Sequence, residues 1–165
     1  EETYLKIISG KTAELFAAAT KVGAILSNMT TKEKEALEFY GRNLGLTFQI
    51  ADDTLDYNSE LKLFGKEIGQ DFYEGKITLP IILLFQKAEE LEKEKLKNIF
   101  SKNLRDESDL DYTFSLIKKY NIIKACYQKA QHYINLASNS LSIFKDSEEK
   151  NILENLTSFS LSRNF

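Results

Sequence analysis

Four polar residues near the middle of the chain have the types and the spacing of a metal-binding cluster. They are separated by steps of three, one and three positions, so a helix would place them on one stripe: Gln49, Asp52, Asp53 and Asp56. Neighbouring carboxylates repel one another and destabilise a helix by roughly 0.2–0.5 kcal/mol per pair. A hard divalent cation removes this repulsion, and Mg²⁺ is commonly held by one or two carboxylates together with phosphate oxygens. The cluster therefore predicts a Mg²⁺ cofactor and a ligand that carries phosphate.

A solvated helix face or helix C-terminus is the alternative interpretation of these aspartates. Short acidic motifs arise by chance, and most of them bind nothing. The stripe nevertheless follows the apolar residues Leu46 and Phe48, which favour a partly buried helix. Carboxylates near a helix C-terminus also oppose the helix macrodipole, so burying them without a cation would be doubly unfavourable. A binding site accounts for this placement better than a solvated face does.

Three lysines each follow a glycine directly and are candidate phosphate-binding residues: Lys11, Lys66 and Lys76. The lysine ammonium is a compact point charge that suits phosphate oxygens. A lysine on a protein surface is more often solvated than functional. The sequence context of each lysine therefore has to decide its role.

Helices are the elements expected to position these residues. The chain has seven glycines and one proline, which leaves little material for the turns of a β-protein. Apolar residues recur at three- and four-residue steps between Thr3 and Asn28, where Gly10 predicts a bend or a close backbone approach. A second helix begins at the hydroxyl cap Thr30-Thr31 and runs to about Tyr57. The sequence predicts an all-α fold.

The rest of the chain is predicted to form a loop and then further helices. Residues 58–75 lose clean periodicity and contain three glycines, which is typical of a long functional loop. Thr78 is expected to cap a helix that carries Pro80 in its first turn. The later helices and their caps are Lys93–Leu104, Leu110–Tyr120 behind a capping box of Ser108 and Asp111, Ile122–Phe144 behind Asn121, and a last helix ending near Leu161 behind Asp146 or Ser147.

Composition and charge bound the class of protein. A chain of 165 residues with 42% hydrophobic content has the size of one domain, so residues 1–165 are predicted to form a single helical domain. A net charge of −3 gives no broad basic surface for nucleic acid. No apolar stretch approaches the roughly 20 residues that span a bilayer. The lone Cys126 and the lack of a signal-peptide pattern favour a cytoplasmic location.

Five short motifs lie in a fixed order along the first half of the chain. They are Lys11-Thr12-Ala13, Gly23-Ala24, the run from Phe48 to Asp56, Gly65-Lys66 with Gly69 and Asp71, and the run from Glu74 to Pro80. This order resembles that of the trans-polyprenyl diphosphate synthases, nearest to the bacterial long-chain type such as octaprenyl diphosphate synthase. One such motif is weak, whereas five in order are specific. The resemblance implies an isoprenoid-synthase-type helical bundle, of which this chain would be the C-terminal portion.

The resemblance also implies roles for individual residues in lengthening an allylic diphosphate with isopentenyl diphosphate. The implied Mg²⁺ ligands are three aspartates: Asp52, the most direct one, with Asp53 and Asp56. The implied partners of the diphosphate are three lysines: Lys11, Lys66 and Lys76. Thr12 and Gln49 resemble the positions whose oxygens stabilise the allylic cation, and with Lys11 they form the predicted catalytic set.

Further parts of such an enzyme are expected to lie before Glu1. In the resembled family a first aspartate-rich motif faces the second across a cavity, and other upstream residues hold isopentenyl diphosphate. Residues 1–165 are therefore expected to supply half of a metal clamp. Two alternatives stay open. One is a long-chain polyprenyl diphosphate synthase that works as a homodimer or beside a partner carrying the N-terminal half, and the other is a truncated or split non-catalytic subunit that keeps the fold.

Overall fold

The computed structural model describes residues 1–58 and 68–162, so the predicted diphosphate-binding Lys66 lies outside the described residues. The regular elements in these ranges are helices, with no strand among them, which confirms the all-α prediction. The α-helices are α1 Glu2–Ile8, α2 Glu14–Leu26, α3 Thr31–Leu55, α4 Gln70–Glu74, α5 Leu79–Lys87, α6 Glu90–Phe100, α7 Glu107–Lys119, α8 Ile122–Ser140 and α9 Glu148–Ser162. Within these ranges, every helix is too short or too polar to cross a membrane.

The chain divides into two compact units. We call Glu1 with Asp52–Tyr127 the aspartate unit, and Glu2–Ala51 with Gln128–Phe165 the long-helix unit. The core cluster of the long-helix unit consists of Tyr40, Leu44, Ala137 and Leu141, with Phe16, Leu37, Phe144 and Leu153 packed against it. Buried side chains of the aspartate unit include Phe72, Leu84 and Leu96. The single domain expected from composition stays a prediction.

The first helical run of the long-helix unit contains a π-helix at the position where the bend was predicted. A π-helix, Ser9–Ala13, joins α1 to α2, and the N–H of Glu14 donates to the carbonyl of Ser9. A Cβ added at Gly10 would meet nothing within 4 Å, so Gly10 does not mark a close backbone approach. π-turns of this kind occur frequently at functional sites.

The capping interactions decide where the later helices begin, and several differ from the prediction. Helix α6 begins at Glu90, before the predicted Lys93, because Glu89 caps it and the Glu89 N–H donates to Glu92 Oε2 at 3.1 Å. The helix ends at Phe100, before the predicted Leu104. The Thr78 position starts α5 as predicted, but its side chain makes no capping hydrogen bond.

The capping box of α7 lies two residues earlier than the predicted pair of Ser108 and Asp111. The Asp109 N–H donates to Asp106 Oδ1 at 3.0 Å, and Asp109 Oδ2 accepts from the Asp106 N–H at 3.3 Å. Ser108 instead donates its hydroxyl to Asp106 Oδ1 at 2.7 Å. The earlier aspartate pair therefore starts α7 at Glu107, three residues before the predicted Leu110.

Helix α8 also ends earlier than predicted, at Ser140, and a 3-10 helix, Leu141–Ile143, takes the place of its last turn. Asn121 has a φ of 51°, the left-handed conformation that ends a helix, and its N–H donates to the carbonyl of Lys118. Asn121 thus terminates α7, and its carbonyl also accepts from the Ala125 N–H at 3.2 Å at the start of α8, which begins at Ile122 as predicted. Ser147 caps α9 as predicted, since its Oγ accepts from the Lys150 N–H at 3.2 Å.

Candidate functional site

Two glycines of α3 bring the backbones of two helices into contact within the long-helix unit. A Cβ added at Gly45 would lie 2.7 Å from Ala13 Cα, and one added at Gly41 would lie 2.5 Å from the carbonyl oxygen of Phe16. These distances exclude any larger side chain, so the π-helix and α2 pack directly on the backbone of α3. The spacing of Gly41 and Gly45 is the sequence signal for this contact, because glycines four residues apart lie on one face of a helix. The five motifs do not include these two glycines.

Gln49 follows Gly45 by one further turn of α3 and faces the π-helix. The Thr12 hydroxyl donates to Gln49 Oε1 at 2.7 Å, which fixes both side chains. Gln49 is buried in α3, whereas Lys11, which lies beside Thr12 in the π-helix, is exposed. The three residues predicted to be catalytic therefore lie together in the long-helix unit. Because its hydrogen is committed to Gln49, the Thr12 oxygen presents only lone pairs to its surroundings.

The predicted aspartate stripe is only partly helical. Helix α3 ends at Leu55, so Asp52 and Asp53 belong to its last turn while Asp56 lies in the following turn. The Tyr57 N–H donates to the carbonyl of Thr54 at 3.1 Å, which closes this turn. Asp52 is exposed, and Asp53 is buried with 7% of its surface accessible. The helix predicted to continue to about Tyr57 thus ends at Leu55, one residue before Asp56.

The Asp56 carboxylate is held by backbone N–H groups of the aspartate unit. Its Oδ1 accepts from Gln70 at 3.0 Å and its Oδ2 from Asp71 at 2.8 Å. The backbone carbonyl of Asp56 accepts from Gly69 at 2.8 Å. Burial raises the pKa of Asp56, and the hydrogen bond from the Asp71 N–H acts in the opposite direction. Both carboxylate oxygens are therefore engaged in fixing the start of α4.

The carboxylates at the end of α3 fit a site in which protein carboxylates and phosphate oxygens together bind Mg²⁺. Among the described residues, no group of three or more histidine, cysteine, aspartate or glutamate side chains is gathered as a metal-binding cluster. Mg²⁺ is commonly bound by one or two carboxylates, with water and phosphate oxygens in the other positions. The exposed Asp52 fits that role. Each oxygen of Asp56 accepts one backbone hydrogen bond and keeps a further lone pair, so Asp56 stays a predicted ligand.

Lys76 lies in the aspartate unit just after α4. Its Nζ is 2.9 Å from Asp71 Oδ1 and 2.6 Å from Glu74 Oε2, and half of its side chain is exposed. The Glu74 and Asp71 carboxylates raise the pKa of Lys76, so its positive charge is secure at neutral pH. The preceding Gly75 has a φ of 75°, a left-handed conformation that glycine adopts without strain. The half-exposed side chain thus stands at a fixed backbone turn, with its ammonium paired to Asp71 and Glu74.

Comparisons with known proteins bear on the fold and on the family of the chain. Residues 1–117 match the polyprenyl synthetase family. A short chain isoprenyl diphosphate synthase from Methanothermobacter thermautotrophicus is 36% identical over 163 residues, which cover 99% of this chain and 50% of that protein. The octaprenyl diphosphate synthase from Haemophilus influenzae is 30% identical over 165 residues, again covering 50% of that protein.

A solved structure gives the same result in three dimensions. The polyprenyl synthase from Caulobacter crescentus CB15, complexed with calcium and isoprenyl diphosphate, is 38% identical and has a TM-score of 0.91. The match covers 100% of this chain and 50% of that chain. The chain therefore spans about half the length of the curated relatives it matches. On the match over residues 1–117 and the identity over nearly its whole length, this chain belongs to the polyprenyl synthetase family.

Proposed function

We propose that this chain binds Mg²⁺ and a diphosphate as one half of a polyprenyl diphosphate synthase. The observation that carries the proposal is the exposed Asp52 carboxylate in the last turn of α3, in the same unit as the half-exposed side chain of Lys76. A metal-binding carboxylate and a fixed cation are the groups that a diphosphate requires. The calcium and isoprenyl diphosphate bound to the Caulobacter relative support a divalent cation and an isoprenyl diphosphate as ligands here.

The reaction that we propose for the whole enzyme is the lengthening of an allylic diphosphate. The allylic C–O bond breaks, and its electron pair leaves with the diphosphate. The double bond of isopentenyl diphosphate attacks the resulting carbon cation, and loss of a proton gives a chain longer by one isoprene unit. Bound Mg²⁺ would neutralise the negative charge that develops on the departing diphosphate. No side chain predicted for the site is an evident general base, so we assign the proton to the released diphosphate.

Each residue of this chain has a distinct task in the proposal. Asp52 holds the metal, while Lys76 and Lys11, with Lys66 outside the described residues, pair with diphosphate oxygens. The Thr12 and Gln49 oxygens stabilise the positive charge on carbon, because their mutual hydrogen bond keeps these dipoles in a fixed orientation. Preorganised dipoles of this kind need no reorganisation when charge develops. Asp53 and Asp56 are further proposed metal ligands, and Asp56 also holds the start of α4 through two backbone N–H groups.

Membership of the family does not determine the length of the product. The relatives include a short-chain synthase and an octaprenyl synthase. We propose a long-chain, octaprenyl-like product, on the resemblance of the motifs to the bacterial long-chain type. Chromatography of the products formed by the complete enzyme, with authentic polyprenyl standards, would test this directly. Products no longer than four isoprene units would contradict it.

Turnover also needs the first aspartate-rich motif and the isopentenyl site, which the resemblance assigns to a region outside residues 1–165. We propose that this region acts with residues 1–165, and a homodimer remains a further prediction. A non-catalytic subunit that keeps the fold is the second candidate. Ligand binding separates the two candidates, because a subunit without a functional site would bind no diphosphate.

The experiment is calorimetric titration of the chain with an allylic diphosphate in the presence and absence of Mg²⁺. We expect binding that requires Mg²⁺ and that weakens about tenfold or more in Asp52→Asn, since removing a metal ligand lowers the affinity for the metal. Asp111→Asn is the matched control, because Asp111 is also exposed in the aspartate unit. Equal affinity in the wild type and Asp52→Asn, or binding that ignores Mg²⁺, would contradict the proposal.

A further inference from the structure

Arg105 joins the ends of two helices in the aspartate unit. Its Nη1 donates to the carbonyl of Tyr73 at 3.2 Å, and its Nη2 donates to the carbonyl of Phe100 at 2.9 Å. Tyr73 lies in α4, and Phe100 is the last residue of α6. Carbonyls at helix ends lack partners within their helix, and a cation there also complements the negative end of the macrodipole. One guanidinium therefore satisfies two helix ends at once.

Two aromatic rings lie beside this guanidinium. The Arg105 Cζ atom lies 5.4 Å from the ring centroid of Phe100 and 6.0 Å from that of Phe72. The two rings meet edge to face, with centroids 5.5 Å apart and an interplanar angle of 83°. Stacking on aromatic faces and a forked pair of donors are properties of arginine that lysine lacks. The two rings therefore favour an arginine over a lysine at this position.

The bare backbone of Gly75 lies directly against the guanidinium. A Cβ added at Gly75 would be 2.7 Å from Arg105 Nη2, and the φ of Gly75 is 75°. The Gly75 N–H donates to the carbonyl of Phe72 at 3.0 Å, and the Lys76 N–H donates to that of Asp71 at 2.9 Å. Arg105 thus supports the turn at which the backbone leaves α4 and presents Lys76.

Helix α4 depends on contacts outside itself, because a helix of five residues is far too short to be stable alone. Asp56 holds its N-terminal end through the N–H groups of Gln70 and Asp71. Arg105 holds its C-terminal end through the carbonyl of Tyr73. The predicted aspartate motif and the predicted lysine are therefore joined by one short element that is fastened at both ends.

We propose that Arg105 is a positioning residue for the candidate diphosphate site. By fastening the C-terminal end of α4, it holds Lys76 in place and keeps the Gln70 and Asp71 N–H groups on the Asp56 carboxylate. The proposal rests on the proposed function in one respect, namely that Lys76 binds diphosphate. The fastening of α4 itself is independent of any ligand and is tested separately.

The first arm of the test is amide hydrogen exchange in Arg105→Met, which keeps the apolar stem on the two rings but removes both donors. We expect faster exchange at the Gly75 and Lys76 amides than in the wild type, relative to the amide of Ala88 in the same unit. Lys119→Met is the matched control, since it removes a cation that bridges α6 and α7 through Glu92 Oε1 at 2.8 Å and makes no contact with α4 that the structure describes. This control should leave the Gly75 and Lys76 amides unchanged.

The second arm is calorimetric titration of the same variants with inorganic diphosphate and Mg²⁺. We expect the affinity of Arg105→Met to fall about tenfold, the lower end of the loss seen when a residue that holds a ligand-binding group is removed. Arg105→Lys keeps the charge but reaches only one carbonyl, so an intermediate affinity is expected. If Arg105→Met does not fold, the comparison of Arg105→Lys with the wild type decides whether Arg105 has the positioning role.

The outcomes separate this proposal from the proposed function. Wild-type affinity together with wild-type exchange at Gly75 and Lys76 in a folded Arg105 variant would overturn the positioning role. Faster exchange throughout the aspartate unit, without a local effect, would also overturn it, because Arg105 would then contribute only to general stability. If the wild type binds no diphosphate, the proposed function fails, and the exchange arm alone decides whether Arg105 fastens α4.

Discussion

Asp52 and Asp56 belong to the same short motif but have different surroundings. Asp52 is exposed at the end of α3, whereas both carboxylate oxygens of Asp56 accept backbone N–H groups from α4. Sequence spacing could not separate the two, because the partners of Asp56 are Gln70 and Asp71, far along the chain. Spacing predicted a shared stripe, which requires Asp56 to be helical. The end of α3 at Leu55 removes that condition.

This difference predicts opposite effects of the two substitutions on stability. Asp56→Asn replaces one carboxylate oxygen with an N–H₂ group that faces a backbone donor, so the free energy of unfolding should fall by about 1–3 kcal/mol. Asp52→Asn alters an exposed side chain and should change it by less than about 0.5 kcal/mol. Urea denaturation without added metal measures both values. Similar losses in the two variants would contradict the assignment of Asp56 to the support of α4.

At the scale of elements, helical periodicity predicted most of the helices but not the contacts that set their ends. The run that contains α1 and α2 was predicted together with an irregularity at Gly10, because an interior glycine breaks an otherwise regular apolar pattern. The start of α7 was misplaced because several acidic and hydroxyl residues in one segment can all cap a helix. Only the observed hydrogen bonds between Asp106 and Asp109 select one of them.

The close contact of α3 with the π-helix was not predicted, although it positions Thr12 against Gln49. Gly45→Ala should lower the free energy of unfolding by about 1–3 kcal/mol, because the new Cβ would lie 2.7 Å from Ala13 Cα. Gly23→Ala is the matched control in α2, where a Cβ meets nothing within 4 Å and alanine is favoured by up to about 1 kcal/mol. Thermal unfolding compares the two variants. Stabilisation by both would mean that the two helices do not pack backbone to backbone.

At the scale of the whole molecule, the order of the motifs carried more information than any single motif. Five motifs in sequence predicted the polyprenyl synthase family, and the match over residues 1–117 confirms it. The all-α fold was predictable as well, since family and periodicity agree. The role of Arg105 was not predictable, because no local pattern links it to Tyr73 or to Gly75. Such contacts depend on tertiary packing and not on spacing along the chain.

The position of the metal at Asp52 is the central claim, and paramagnetic NMR tests it most directly. Mn²⁺ replaces Mg²⁺ at oxygen sites and broadens the signals of nearby amides. In the presence of inorganic diphosphate, we predict broadening centred on the amides of Asp52 and Asp53, with weaker effects near Lys76. Asp52→Asn should abolish the pattern. Broadening centred on α7, or broadening that persists unchanged in Asp52→Asn, would contradict the account.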